Sequence, residues 1–202
     1  MGTNEDAVAM ALQLVFATNN RHKLEEVAAK IDGKIQLLTL EDIGCLEDIE
    51  ETGSTFKENA SLKSRYVYNN YQLNCFGDDS GLIVDALNGE PGIYSARYAG
   101  EHGNHPANII KVLDKLSGVA NRRARFISVI SLIWNGDEHF FEGTVEGTIR
   151  HHTTGNGGFG YDPIFQPDGY GITFAEMSLE EKNKISHRAR AMEKLISFLN
   201  SI

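Results

Sequence analysis

Phe76-Gly77-Asp78-Asp79-Ser80-Gly81-Leu82-Ile83-Val84-Asp85 sets two adjacent carboxylates, a hydroxyl and a glycine turn between short apolar runs. Cys75-Phe76 before it and Leu82-Ile83-Val84 after it read as strand edges. That places Asp78 and Asp79 at a strand end or hairpin bend, with Gly81 easing the turn. Successive side chains on an extended backbone point opposite ways, so only one of the two carboxylates readily faces a given pocket. The plain alternative is an Asx-rich surface turn, and the rest of the chain decides between the two.

Upstream, Leu12 to Ala17 reads as a short buried strand running into Thr18-Asn19-Asn20-Arg21-His22-Lys23. Leu24, Val27, Ala28 and Ile31 then fall at helical spacing. A strand, a polar turn and a helix start present backbone N–H groups and a dipole that favour an anion. Asn19 or Asn20 capping the helix over a solvated Lys23 is the simpler reading, since the turn lacks P-loop glycines. An acidic loop, Glu47 to Gly53, precedes Thr55-x-x-Glu58, a capping box that opens a helix to about Tyr71. Its apolar side is Phe56, Ala60, Leu62, Tyr66 and Val67, while Lys63 and Arg65 reach a pocket or solvent.

Downstream, Asn88 to Tyr98 reads as an ordered loop, and Pro106 opens a helix to about Leu116. Arg125 to Trp134 is a long strand returned by Glu138 to Ile149 through the hairpin turn Asn135-Gly136. Gly155, Gly157 and Gly160 spell GxGxxG, but Tyr161-Asp162-Pro163 follows where a dinucleotide fold needs a helix. The glycines suit instead a loop wrapped around a flat ligand, with Phe159 or Tyr161 free to stack. Ser178-x-x-Glu181 is another capping box, and from Ile185 a stripe of Ala189, Met192, Ile196 and Leu199 packs a helix on the core. Lys182, His187 and Arg188 crowd its beginning, off that stripe.

With 202 residues, 41% of them apolar and 23% charged, the chain suits one α/β domain or two lobes sharing a sheet. Residues 1–9 read as a flexible tail with Met10 as an alternative start, and residues 10–202 as one domain. A net charge of −9 argues against broad nucleic-acid binding but permits a local basic pocket. The two cysteines, Cys45 and Cys75, lack metal-ligand spacing and read as free thiols in a reducing compartment. No segment reads as a signal peptide or membrane span, so the expected location is the cytoplasm. Clustered acids with a phosphate-friendly turn point to Mg²⁺, held by one or two carboxylates and substrate phosphates.

The sequence resembles the inosine triphosphate pyrophosphatase family, the HAM1-like noncanonical purine NTP pyrophosphatases. The resemblance rests on Thr18-x-Asn20-x-x-Lys23, on Glu50-Glu51-Thr52-Gly53-x-Thr55-Phe56-x-Glu58-Asn59-Ala60 and on Asp78-Asp79-Ser80-Gly81-Leu82. Pro91 to Arg97, Gly157 to Pro163 and Ser186-His187-Arg188 match as well, in the family's order from about Leu12 onward. Asn19 departs from the pattern, since some members carry glycine there.

The resemblance implies an α/β fold, an elongated mixed sheet flanked by helices with two lobes around a central cleft. It implies hydrolysis of ITP, dITP and XTP to monophosphate and pyrophosphate by a Mg²⁺-dependent homodimer. Thr18, Asn19, Asn20, Arg21, His22 and Lys23 would bind the triphosphate. Asp79 would hold the metal and help activate water, with Glu51 its acidic partner; which of Asp78, Glu50 and Glu51 joins it directly stays open. Lys23 and Lys63 would stabilise charge on the leaving pyrophosphate, and Ser80 would contact substrate beside Asp79. In the run Phe159-Gly160-Tyr161-Asp162, Phe159 would stack on the base and Asp162 would bond its edge. Lys182, His187 and Arg188 would complete the contacts, with Arg188 or the His187 backbone aimed at a 6-oxo group. A Maf-like pyrophosphatase of modified pyrimidine nucleotides and a nucleotide-sensing module without turnover are the competing readings.

Overall fold

The run Leu14-Val15-Phe16-Ala17 does not alternate because both faces of its strand are covered. In the computed structural model, which describes residues 11–202, strand β1 (Leu12–Phe16) sends Leu14 and Phe16 into a core with Phe76, Ile130, Leu132, Met192 and Leu195. Val15 and Ala17 enter another core with Val67, Cys75 and Ile133. The expected tail and alternative start lie outside the described residues.

Strands β2 (Ile35–Leu38), β3 (Cys75–Val84), β4 (Arg123–Trp134), β5 (Asp137–Ile149) and β6 (Phe165–Pro167) complete a six-stranded sheet in the order β2-β1-β3-β4-β5-β6. It is parallel from β2 to β3 and antiparallel from β3 to β6, so the fold is α/β with a mixed sheet. The β4–β5 hairpin turns on Asn135 and Gly136, at φ 50° and 93°, the left-handed pair that matches strand twist. Helix α1 (Arg21–Ala28) and helix α5 (His187–Leu199) cover one face, and α2 (Phe56–Tyr71) covers the other. A third core, with Leu82, Val112, Phe126, Phe165 and Phe174, joins α3 (His105–Lys115) to the far halves of β3–β5. Among the described residues no helix is long and apolar enough to cross a membrane.

Asp78 and Asp79 lie in the middle of β3, not at a strand end or bend. The two apolar runs are the ends of one strand that pairs with β4 from Cys75 to Val84. The carboxylates are tolerated inside it because cations and an amide from other segments meet them, a fact local sequence does not display. Gly81 is likewise no turn residue. It and Gly77 share the α2 face with Asp79, and a Cβ on Gly81 would run into the Gly92 carbonyl, with Ser95 Oγ 2.7 Å and Phe56 Cε1 2.9 Å away. Gly81→Ala is therefore expected to destabilise the protein by about 1–3 kcal/mol, the usual range for overpacking. Urea denaturation checks it, and an unchanged midpoint would contradict the close approach.

Helix α2 also differs from its expected apolar side. Ala60 and Val67 are buried as expected, but Asn59, Lys63 and Ser64 are buried beside them and Leu62 is 38% exposed, because the helix meets the polar stretch of β3 as well as the core around Val67. The C-terminal segment is two helices. Ser178 and Glu181 cap the short α4 (Leu179–Asn183), and Ser186 caps α5 afresh. Lys182 is therefore on α4, not at the start of the long helix.

Candidate active site

β3 outruns β1: the two pair only at Cys75 and Phe76, and the chain bridges back to β3 at Ile83 through Pro91. Gly77 to Gly81 thus form an open stretch of strand edge beyond the carboxyl end of β1, the place where α/β sheets bind ligands. A cleft of about 560 Å³ lies there, within the range of small-molecule sites. A more open groove of about 680 Å³ between β5 and α5, edged by Glu142, Arg190, Glu193 and Lys194, carries no comparable constellation.

The turn after β1 is held by its own side chains. Thr18 Oγ1 accepts from the Asn20 N–H at 3.1 Å, and Asn20 Oδ1 caps α1 by accepting from the Lys23 N–H at 3.1 Å. Asn19 Nδ2 donates to Asp48 Oδ1 across the acidic loop. A helix advances 100° per residue, so Asn20 and Lys23 face the cleft while Arg21 and His22 do not line it.

The strand's alternation divides the acid pair. Asp79 faces α2: Oδ2 accepts from Asn59 Nδ2 at 3.0 Å and Oδ1 from the Ser80 N–H at 2.9 Å. Burial pushes its carboxyl up to about 6, with Glu51 adding to the rise and Lys63 and Lys23 opposing it. Glu51 pairs with Lys63 at 2.7 Å. Burial would raise the Glu51 carboxyl, but Lys63 and Lys23 hold it below its ordinary value. Asp79, Glu51, Lys63 and Lys23 all line the cleft; Glu50 does too, and Asp78 does not.

Asp78 faces α1 and α5. Oδ1 accepts from Lys23 Nζ at 2.9 Å; Oδ2 accepts from Ser80 Oγ at 2.8 Å and Arg188 Nε at 3.2 Å. Burial opposes its charge, yet Lys23, Arg188 and Lys63 keep it ionised well below the usual carboxylate range. Arg188, 2% exposed, also bonds Glu26 and Ser80 Oγ. Lys182 Nζ donates to Glu26 Oε1 at 2.5 Å and Asp162 Oδ2 at 2.7 Å. The result is one buried ion network of Lys23, Asp78, Arg188, Glu26, Lys182 and Asp162, four of which line the cleft while Asp78 and Glu26 lie behind them.

Part of the cleft wall is aromatic, from Phe126, Phe159 and Tyr161. Gly158, at φ 67°, lets the Asp162 carboxylate fold back to accept from the Phe159 N–H at 2.9 Å. No α-helix follows the glycines, only a 3-10 turn at Asp162–Ile164, so the dinucleotide motif is excluded. Tyr161 is fixed by its hydroxyl donating to the Ser95 carbonyl at 2.7 Å and belongs to the core. Phe159 is the half-buried ring of the two. His187 stacks on Phe126 at 4.8 Å, and its buried Nδ1 has no hydrogen-bond partner among the described residues. Burial, with Arg188 and Lys182 nearby, drives that imidazole well below its ordinary value, so it is neutral.

The cleft thus collects Thr18, Asn19, Asn20, Lys23, Glu51, Lys63, Asp79, Ser80, Phe159, Gly160, Tyr161, Asp162, Lys182, His187 and Arg188. Arg188 donates three of its N–H groups to protein acceptors, so it is a hub of the network more than a free donor. Sequence reasoning missed Glu26, Asn59, Arg97 and His105. Glu26 had a signal: it lies three residues after Lys23, on the same side of α1. Arg97, which closes the Pro91–Arg97 match, and His105 also line the cleft, and no local sequence pattern turns either of them toward it.

The Ham1 family model matches residues 14–198. A dITP/XTP pyrophosphatase of Porphyromonas gingivalis is 52% identical over 188 residues, 93% of this chain and 97% of the relative. One of Flavobacterium psychrophilum is 50% identical over 190 residues, 94% of this chain and 100% of the relative. The solved structure of the Staphylococcus aureus Ham1 protein superposes with a TM-score of 0.85 at 44% identity, covering 94% of this chain and 98% of that one. A HAM1 protein from Coxiella burnetii gives 0.86 at 40% identity, covering 95% and 100%.

Proposed function

The chain belongs to the Ham1 family, and on that premise we propose that it hydrolyses dITP, XTP and ITP to monophosphate and pyrophosphate with Mg²⁺ as cofactor. One observation carries the reading: Lys23, Lys63, Glu51 and Asp79 share a single cleft with Phe159. A polyphosphate tail and a flat base therefore find their separate chemistries within reach of one molecule. The relatives named dITP/XTP pyrophosphatase support the substrate class, and ITP shares the 6-oxo base. A homodimer working in the cytoplasm is part of the same proposal, supported by the family resemblance.

Asp79 and Glu51 offer hard oxygen donors, and among the described residues no group of three or more His, Cys, Asp or Glu side chains makes a metal cage. That donor set fits Mg²⁺, which takes one or two carboxylates and fills its shell with waters and phosphate oxygens. Asp79 and Glu51 would hold the ion, which supplies charge neutralisation at the phosphates. The turn Thr18–Asn20 and the start of α1 orient the triphosphate, while Lys23 and Lys63 set positive charge where pyrophosphate departs. The Asp79 carboxylate would also help activate the attacking water by accepting its proton.

At the base end, two of the three N–H groups of Lys182 are bonded to Glu26 and Asp162, leaving one donor. A 6-oxo group accepts from such a donor; a 6-amino group confronts it. An unpaired buried donor costs about 1–3 kcal/mol, a tenfold to hundredfold preference against adenine.

A nucleotide panel assayed for monophosphate and pyrophosphate tests the reading. dITP, XTP and ITP are expected to be cleaved at least about tenfold better than ATP, and EDTA to abolish release. Preference for modified pyrimidine nucleotides would select the Maf-like reading, and binding without pyrophosphate release would select a sensor.

A further inference from the structure

His22 is exposed on the first turn of α1, and its ring lies parallel to Phe159, with centroids 5.0 Å apart and 7° between planes. Phe159 lines the cleft; His22 does not. The imidazole therefore backs the phenyl ring from outside. His105 meets the same ring edge-on at 6.3 Å and 64°, and Lys182 Nζ lies 5.0 Å from its centroid. Phe159 needs these neighbours. Its backbone is tied down through Asp162, but it is flanked by Gly158 and Gly160, both at positive φ, so no adjacent side chain restrains the ring.

We propose that His22 is a positioning residue that holds Phe159 as the wall of the base slot. It ties that wall to the helix that begins at the phosphate turn. This replaces the expectation that His22 contacts the triphosphate, and it rests on the reading in which a purine base lies against Phe159. Fixing the ring before the nucleotide arrives removes its ordering from the binding step. The benefit should be felt by the base and not by the phosphates.

The experiment compares wild type, His22→Ala and His22→Phe on dITP, with inorganic tripolyphosphate as a competitive inhibitor lacking a base. His22→Ala is expected to raise KM for dITP roughly two- to tenfold, the factor an aromatic pair supplies, with kcat little changed. The inhibition constant of tripolyphosphate and the Tm should stay at wild-type values, and His22→Phe should restore KM. An unchanged KM, a failure of the Phe variant to rescue, or a Tm loss parallel to the KM rise would overturn the proposal. A matching rise for tripolyphosphate would make His22 a phosphate contact instead, and a fall in KM would mean that the imidazole occupies the base's seat. If wild type does not turn over dITP, the functional reading fails by itself. The same variants then report on positioning through the Kd values of dITP and tripolyphosphate.

Discussion

Asp79→Asn lowers kcat on dITP by roughly 10²–10⁴-fold, the range for loss of a positioned base, and at the same time stabilises the metal-free protein at pH 7. The first effect follows from chemistry, since an amide neither accepts the proton of water nor serves as a good ligand for a hard cation. The second follows from burial. The Asp79 carboxyl stands at about 6 in the folded chain against 3.8 for an unperturbed Asp. Between those values the folded state holds a proton that the unfolded state has released, so stability falls as pH rises through the window. The gap corresponds to about 3 kcal/mol missing at pH 7.

Asparagine removes that penalty but sets an amide N–H₂ against the Asn59 Nδ2 that Asp79 now accepts, an opposition of about 1 kcal/mol. The net gain is about 2 kcal/mol, or about 4–8 °C in Tm for a chain of this size. It should shrink as pH falls, cross zero between about pH 4 and 5 where the remaining penalty equals the amide opposition, and stand reversed below 3.8, where the wild-type carboxyl is largely protonated in both states. Thermal scans in EDTA across pH 4 to 7 measure it. A variant less stable than wild type at pH 7 would mean the site does not strain Asp79, and near-normal turnover would remove Asp79 from the mechanism.

What could be read from sequence was local. Asn135-Gly136 names its own hairpin, Thr55 its own helix start, and Leu14 to Ala17 a strand buried on two faces. The placement of Asp78 and Asp79 was not legible, because a strand interior accepts two carboxylates only when Lys23, Arg188 and Asn59 arrive from segments far along the chain. The same distance hid the polar face of α2. At the turn after β1 the six-residue motif pointed to the cleft as a block, whereas helical rotation admits Asn20 and Lys23 and turns Arg21 and His22 away. Ser186, part of the Ser186-His187-Arg188 match, is also the N-cap of α5, and that fresh start divides the expected single C-terminal helix in two.

Arg188→Ala tests the same lesson from the network's side, and its expected outcome is a loss of stability larger than any change in base preference. The sequence expectation aims this guanidinium, or the His187 backbone, at a 6-oxo group. In the structure Arg188 is 2% exposed and bonds Glu26, Asp78 Oδ2 at 3.2 Å and Ser80 Oγ at 3.0 Å. Burial would raise both acids, but Arg188 with Lys182 holds Glu26 below its ordinary value, and Lys23 with Arg188 holds Asp78 below its own. Removing one member of a buried ion set costs about 3–5 kcal/mol. The lower end applies, because Glu26 keeps Lys182 at 2.5 Å and Asp78 keeps Lys23 at 2.9 Å. About 3 kcal/mol lowers Tm by about 6–12 °C. Carboxylates held below their ordinary values contribute stability above those values and lose it as pH falls. The variant's weaker hold on Glu26 and Asp78 should therefore flatten its pH dependence on the acid side. Glu26→Gln in the same chain separates the network from a local packing defect. If the charges are coupled, the double variant loses less than the two single losses together; strict additivity, or an unchanged Tm in Arg188→Ala, would leave Arg188 free for the base after all.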